Sequence, residues 1–436
     1  MPNKNANKIL MVFLIIVAGG AFLLAVYFLP PVHSRLSWRI TVLRAEIHNF
    51  FNPPEEMVFV PGQQADMRTI IDLTPTATEV PPTATLVPSQ TPTDYIPPTA
   101  TFTATPSPTP TPIPTAFQLE GVVYEKQDFN NWGPANISMA LSYWGWEGDQ
   151  RVAAAWLKPN QKDRNVMPYE MVDFVRTQTR FNAIMRWGGD LEMIKKFIAA
   201  GFPVVIERGY LEEIPEFGWM GHYNVITAYD DDRQVFIVQD SYPGVPNTTN
   251  SYERIERHWR PFNYVFIIVY PPDREATVLE ILGPHADETY NLQHAAQKAL
   301  AEINEQSGRE LFFSWYNYGT SLVNLGDYFG AAQAYDQAFE VYAEIFPRPY
   351  RLFWYSTGAY FAYYYTGRYQ DVIDLADAVL GLSAEPAIEE TWVWRGRARL
   401  ALGDVDGATK DFQEALKWHP GWWVAENELQ NLGVTP

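Results

Sequence analysis

Gln127-Asp128-Phe129-Asn130-Asn131-Trp132-Gly133-Pro134-Ala135-Asn136 runs directly into an apolar-periodic stretch of Ile137, Met139, Ala140, Leu141, Tyr143 and Trp144. Proline fixes φ near its helical value and lacks an N–H that a first turn would leave unpaired, so Gly-Pro after polar residues predicts a helix start. Further along, 203–206 predicts a strand, and 221–229 with 235–240 predicts a hairpin turned by the acidic run Asp230, Asp231 and Asp232. Residues 262–270 predict a further strand. Helices followed by antiparallel strands make this an α+β domain.

Four separated motifs carry a resemblance. Gln127, then Asn131-Trp132-Gly133-Pro134-Ala135 at a helix start, then Gly221-His222-Tyr223 opening a strand, then Asp240-Ser241-Tyr242 at the end of the next, occur in that order. Over roughly 117–272 the chain resembles the papain-like cysteine peptidases that remove double-glycine leader peptides, the bacteriocin-processing type. The resemblance implies that Gln127 is an oxyanion donor, that His222 is the base and that Asp240 orients it. It also puts the nucleophile, a thiolate favoured by the helix dipole, at position 132. That position is Trp132, and the chain has no cysteine. Indole cannot attack a carbonyl, and Ser138, six residues on, would project elsewhere from the helix. Cysteine peptidase activity is therefore excluded, which leaves a degenerate site of Gln127, Trp132, His222 and Asp240. His222 and Asp240 then either hold the hairpin in place or border a retained peptide cleft.

Beyond about 285 helical periodicity takes over. Trp315, Gly319, Leu322, Gly326-Asp327-Tyr328, Ala331, Tyr335 and Ala338 resemble the tetratricopeptide pattern, and Gly396, Leu402-Gly403-Asp404, Ala408, Phe412, Ala415 and Pro420 repeat it. Gly367-Arg368-Tyr369 with Val372, Ala376 and Val379 marks a weaker copy. The resemblance, over roughly 290–433, implies an all-α solenoid whose concave side takes a peptide. Leu292, Ala295, Ala296, Ala299 and Leu300 predict an opening helix, Trp418, Trp422 and Trp423 a cover for the far end, and Trp354, Tyr355, Tyr360, Tyr363, Tyr364 and Tyr365 mostly core.

Toward the amino terminus, 9–29 is free of charge for 21 residues, enough as a helix to cross a hydrocarbon core of about 30 Å. A single transmembrane helix is expected, uncleaved, because Tyr27, Phe28, Leu29 and Pro30 follow the run in place of a small-residue cleavage site. In 30–60, Leu36, Ile40, Leu43 and Ile47 recur at helical spacing and predict a juxtamembrane amphipathic segment. Residues 73–116 hold 14 Thr and 12 Pro, an extended tract that cannot form a core. Lys4 and Lys8 on one side of the span nearly balance Arg35, Arg39 and Arg44 on the other. The Thr/Pro tract, typical of surface stalks, decides the orientation: residues 1–8 cytoplasmic, the bulk extracytoplasmic.

The 436 residues carry 32 Lys and Arg against 51 Asp and Glu, a formal net charge of −19. Nucleic acid, whose phosphates need neutralising, is excluded as a partner. Seven histidines at 33, 48, 222, 258, 285, 294 and 419 show no metal-ligand spacing, and no phosphate-binding or dinucleotide fingerprint occurs, so no metal or cofactor is expected. These readings combine into domains at 117–284 and 285–436. Together they form a membrane-anchored, surface-displayed scaffold for a peptide or protein segment, possibly a basic one. The alternative is a hydrolase of altered chemistry that uses His222 and Asp240 without a cysteine.

Overall fold

The computed structural model describes residues 113–210, 219–383 and 385–436, together with 58–62 and scattered positions between 11 and 51. The chain divides into two compact units, Met1–Pro61 with Pro114–Pro436, and Gly62–Ile113.

Its elements begin with β1 (Ala116–Gln118), α1 (Trp132–Tyr143), α2 (Gln150–Leu157), α3 (Pro168–Gln178), β2 (Asn182–Arg186) and α4 (Leu191–Ala199). Next come β3 (Val204–Tyr210), β4 (Met220–Asp230), β5 (Val235–Asp240), β6 (Val245–Ser251), α5 (Tyr252–Trp259) and β7 (Phe266–Tyr270). The seven strands form one sheet in the order β2-β7-β3-β4-β5-β6, with β1 added to β4, and every pairing is antiparallel. This is an α+β arrangement. Residues 133–141 of α1 are buried on every side, which is why this helix lacks a polar face and sits inside the domain. Its core joins Ile137, Met139 and Leu141 to Val205, Tyr223, Val225, Ile267 and Val269 of the sheet.

Strand limits differ from the sequence reading at two places. Residues 262–265 are not strand, because Pro261 cannot donate to a ladder and sits in a 3-10 turn, and Asn263 and Tyr264 follow at φ 51° and 52°. β3 runs four residues past Ile206, through the buried charges Glu207 and Arg208.

Helices then follow without a strand: α6 (Glu275–Leu282), α7 (Glu288–Ile303), α8 (Gly308–Asn324), α9 (Tyr328–Glu344), α10 (Leu352–Tyr355), α11 (Gly358–Tyr365), α12 (Tyr369–Gly381), α13 (Glu389–Ala401), α14 (Val405–Trp418) and α15 (Trp423–Asn431). The pairs α8/α9, α11/α12 and α13/α14 turn at Gly326, Gly367 and Gly403, whose φ of 81°, 78° and 88° only glycine adopts at no steric cost. Small residues set the spacing within pairs. A β-carbon on Gly396 would lie 2.6 Å from the Phe412 ring. Trp418 and Trp422 are buried at the far end, but Trp423 is 68% exposed and covers nothing.

Strand gives way to helix after Tyr270, ahead of the expected border at 284/285, and the core continues across that border. Trp219, Phe262 and Val265 of the first part belong to the same buried cluster as Phe312, Phe313, Tyr355 and Tyr360. Asn263 Nδ2 donates to Ser321 Oγ at 2.9 Å, Asn317 Nδ2 to the Arg260 carbonyl at 2.7 Å, and Arg260 pairs with Glu302 and Glu310 at 3.2 and 2.8 Å. Phe59 is also drawn into this cluster, 5% exposed, edge-on to Phe339 at 4.8 Å.

The expected membrane span 9–29 and the Thr/Pro tract lie mostly outside the described residues. Among the described residues no helix is long and apolar enough to cross a membrane. Within 30–60, Ile40, Leu43 and Ile47 are helical and exposed.

Two aspartates cap equivalent helices. Asp327 Oδ1 accepts the Gly330 amide at 2.8 Å, and Asp404 Oδ1 the Gly407 amide at 2.9 Å. Asp327→Ala and Asp404→Ala should each cost about 1 kcal/mol in urea unfolding. As the two caps serve separate helices, the double variant should lose about the sum. A double variant as stable as the parent would show that these caps do not hold the helical region together.

Candidate functional site

The segment before α1 is tied down from several directions. Gln150, at the start of α2, accepts the Asp128 amide at 2.7 Å through Oε1 and donates through Nε2 to the Lys126 carbonyl at 2.8 Å. The buried Lys158 ammonium donates to the Asn130 carbonyl at 2.7 Å, and Asn130 has φ 55°. These contacts fix where α1 begins. Trp132 is its first residue, after Asn131.

Gln127 joins this helix start to the end of β5. Its amide donates to the Ser241 carbonyl at 3.0 Å, and its Oε1 accepts from Ser241 Oγ at 2.8 Å, so its side-chain NH2 is the group left to donate elsewhere. Asn136, one turn into α1, donates to the Trp132 carbonyl at 2.8 Å and to Ser241 Oγ at 3.1 Å. Ser138 does point elsewhere, donating to Glu125.

His222 and Asp240 are brought together, with Nε2 to Oδ1 at 2.9 Å. Around Asp240 stands a buried polar network. The Tyr242 amide donates to Oδ1 at 3.0 Å, Tyr210 OH to Oδ2 at 3.0 Å, and the Arg208 guanidinium lies 3.8 Å from Oδ2. Arg208 Nε in turn donates to Tyr210 at 2.7 Å. Burial alone would push the Asp240 carboxyl up, but the His222 ring, the Arg208 charge and the Tyr242 amide outweigh it and hold it well below the usual carboxylate range. The His222 side chain is only 4% exposed, its ring facing Tyr210 at 5.5 Å and Tyr242 at 6.3 Å.

Gln127, His222 and Asp240 thus converge through the adjacent Asp240 and Ser241. Trp132 reaches them through Asn136 and Ser241, while its ring meets Tyr355 of α10 edge-on at 6.5 Å. The indole packs on both the sheet core and the helical-region core. Gly221 explains how Tyr355 fits, since a β-carbon there would fall 2.8 Å from the Tyr355 ring and 2.7 Å from Phe262. Arg208, Tyr210 and Tyr355 have no place in the sequence reading of the site. Arg208 carries a readable signal, a charge two residues past the apolar run 203–206, whereas Tyr355 comes from more than a hundred residues away.

The acidic turn is satisfied by side chains. Asp231 Oδ1 accepts from Lys195 Nζ at 3.1 Å and from Tyr252 OH at 2.8 Å, and Asp230 Oδ1 from the Arg233 amide at 3.1 Å.

Residues 113–267 match the Peptidase_C39 like family. Among solved structures, one titled as a C39-like peptidase from Bacillus anthracis is similar at 18% identity over 35% of this chain and 96% of its own, with a TM-score of 0.29. No curated protein matches the chain. The segment from β1 into β7 is thus similar in sequence to C39-like peptidases.

Asp240 should contribute stability at neutral pH. A carboxyl held below its unfolded value of about 3.9 stabilises the fold above that pH, and the contribution is lost as pH falls further toward the folded value. Asp240→Asn, which leaves Arg208 and His222 without their carboxylate, should lower stability at pH 7 by about 3–5 kcal/mol. In urea titrations from pH 7 to pH 3 the gap to wild type should narrow below about pH 4. A gap that stays constant across that range would mean that the network does not hold Asp240 ionised.

Proposed function

We propose that the chain is a membrane-anchored, surface-displayed scaffold that binds a peptide or protein segment. In this reading it is built from a catalytically inactive cysteine-peptidase-like domain and tetratricopeptide repeats. One observation carries it: Trp132 opens α1 where the resemblance puts a thiol, and its ring is packed against Tyr355 of the helical region. Where a peptidase would present a nucleophile to substrate, this chain presents an indole to its own second half.

The repeat assignment rests on three helix pairs with left-handed glycine turns and small residues at the close approaches, Gly319 against Tyr335 and Gly396 against Phe412. Aromatic rings reach the surface there. Tyr365 is exposed and stacks on Tyr328 at 4.5 Å, and Phe361 and Tyr364 are half-buried over the buried Trp394 at 4.3 and 5.6 Å. With −19 overall, a basic segment is the partner charge favours, the attraction being screened over about 8 Å at physiological salt. The anchor and outward display rest on the uncharged run 9–29 and the Thr/Pro tract. The alternative, a hydrolase working through His222 and Asp240, has their 2.9 Å contact in its favour and the burial of His222 against it.

Wild type should not cleave a double-glycine leader peptide, and cleavage that disappears in His222→Ala would overturn the inactive reading. In Trp132→Cys, the thiol should titrate below the ordinary value of about 8.5, judged from the pH dependence of its alkylation. Tyr355→Ala added to that change should speed the alkylation by uncovering the position. A thiol with an ordinary pKa in a folded protein would mean that Gln127, His222 and Asp240 no longer form a nucleophile's surroundings.

Binding and topology have their own tests. A photo-crosslinkable basic peptide bound to the full chain should label residues 285–436, less at high salt, and labelling confined to 117–284 would reverse the roles of the two parts. Protease added outside intact cells should digest the chain beyond residue 60, and full protection would overturn the outward display.

A further inference from the structure

Below the start of α1, the loop between α2 and α3 meets the far helices at a group of buried acidic side chains. Asp163 comes from that loop, Glu389 and Glu390 open α13, and His419 follows α14. Asp163 is 0% exposed and Glu389 1%. His419 Nδ1 lies 2.9 Å from Glu389 Oε1, and its ring is stacked on Trp422 at 5.7 Å. One ligand atom each from Asp163, Glu389 and His419 lies within 4.8 Å of the others.

More is present than acidity. Asp163 uses Oδ1 to accept the Asn165 amide at 3.0 Å, but its Oδ2 is buried without a partner, as are Glu389 Oε2 and Glu390 Oε2. A bare buried carboxylate oxygen costs free energy unless something positive or protic meets it. The buried base close by, Lys158, spends its ammonium on main-chain carbonyls, Asn130 at 2.7 Å and Asp163 at 2.9 Å. The cluster therefore needs either protons or a cation.

We propose that Asp163, Glu389 and His419 bind one divalent first-row transition-metal ion, of which zinc is the probe of choice. The donor set argues for this class. An imidazole beside two carboxylates, with no thiolate, suits zinc or manganese better than calcium or magnesium, which prefer oxygen alone. Tetrahedral metal–ligand bonds of about 2.0–2.2 Å set neighbouring ligand atoms roughly 3.3–3.6 Å apart, so the His419–Glu389 pair, now at hydrogen-bond distance of 2.9 Å, needs to part by only about 0.5 Å to become two ligands of one ion. Glu390 supplies a further carboxylate beside them. Such an ion clamps α13 and the turn after α14 to the loop that carries Val166, whose side chain lies where a β-carbon on Gly133 would fall, 2.9 Å away. It would be a structural tie between the two parts of the fold, reaching the residue next to Trp132.

The test uses the full chain in detergent, stripped with chelator and titrated calorimetrically with Zn2+, with metal content read by mass spectrometry. One Zn2+ per chain should bind and raise the melting temperature, and Ca2+ should not substitute. Glu389→Gln and His419→Gln should each weaken binding at least tenfold. His285→Gln, which breaks the other close imidazole pair, His285 with His294 at 4.7 Å, should leave it unchanged. Without metal, Glu389→Gln should melt no lower than wild type, because it neutralises an oxygen that has no partner, so its lost zinc response cannot be put down to misfolding. Asp163→Asn, which keeps the acceptor for Asn165, is the second such variant. Absence of stoichiometric zinc on wild type, zinc retained by Glu389→Gln, or an equal response to Ca2+ would each overturn the proposal.

Discussion

The Tyr355 ring lies in space that any side chain at residue 221 would take, and the joining of the two parts of this protein depends on that vacancy. Gly221 and His222 are neighbours on β4, so the strand that carries the dyad histidine also carries the seat for α10. Trp132 closes the arrangement from below, edge-on to the same ring. Trp219 approaches Tyr355 from another side at 6.2 Å, and its carbonyl accepts from Arg351 at 3.0 Å. Aromatic pairs of this kind add about 0.5–1.5 kcal/mol each beyond their buried area. The helical region is thus anchored beside the His222–Asp240 pair, against the first residue of α1.

Burying Arg208, His222 and Asp240 together is expensive, and apolar side chains would often do as well for stability. What the network provides is a fixed geometry at the end of β5. Asp240 holds His222 and Tyr210, and the next residue, Ser241, holds Gln127 and Asn136. Two successive residues thereby connect the sheet to the start of α1.

The parts legible in the sequence are those written in local chemistry. Gly133-Pro134 announces α1, the largely apolar run after His222 announces β4, and the Asp230–Asp232 run announces the turn to β5. Glycines at 326, 367 and 403 mark helix turns because only there must the backbone enter the left-handed region. β6, Val-Pro-Asn-Thr-Thr-Asn-Ser, escapes notice because it is a polar edge strand with little to bury. Arg208 escapes because a charge normally ends an apolar strand, and here the carboxylate it faces, Asp240, lies at the end of β5. Tyr355 and the trio Asp163, Glu389 and His419 are assembled from segments far apart in the chain, where spacing rules have nothing to measure.

Phe59 gives the amino-terminal segment a mechanical meaning. It is held between Phe339 and Tyr363, and Pro61 and Pro114, the residues that flank the Thr/Pro-rich unit, both belong to the same compact unit. A pulling force applied ahead of Phe59 would therefore pass through its ring into α9 and α11, and freeing that ring from Phe339 and Tyr363 would be the first event under load.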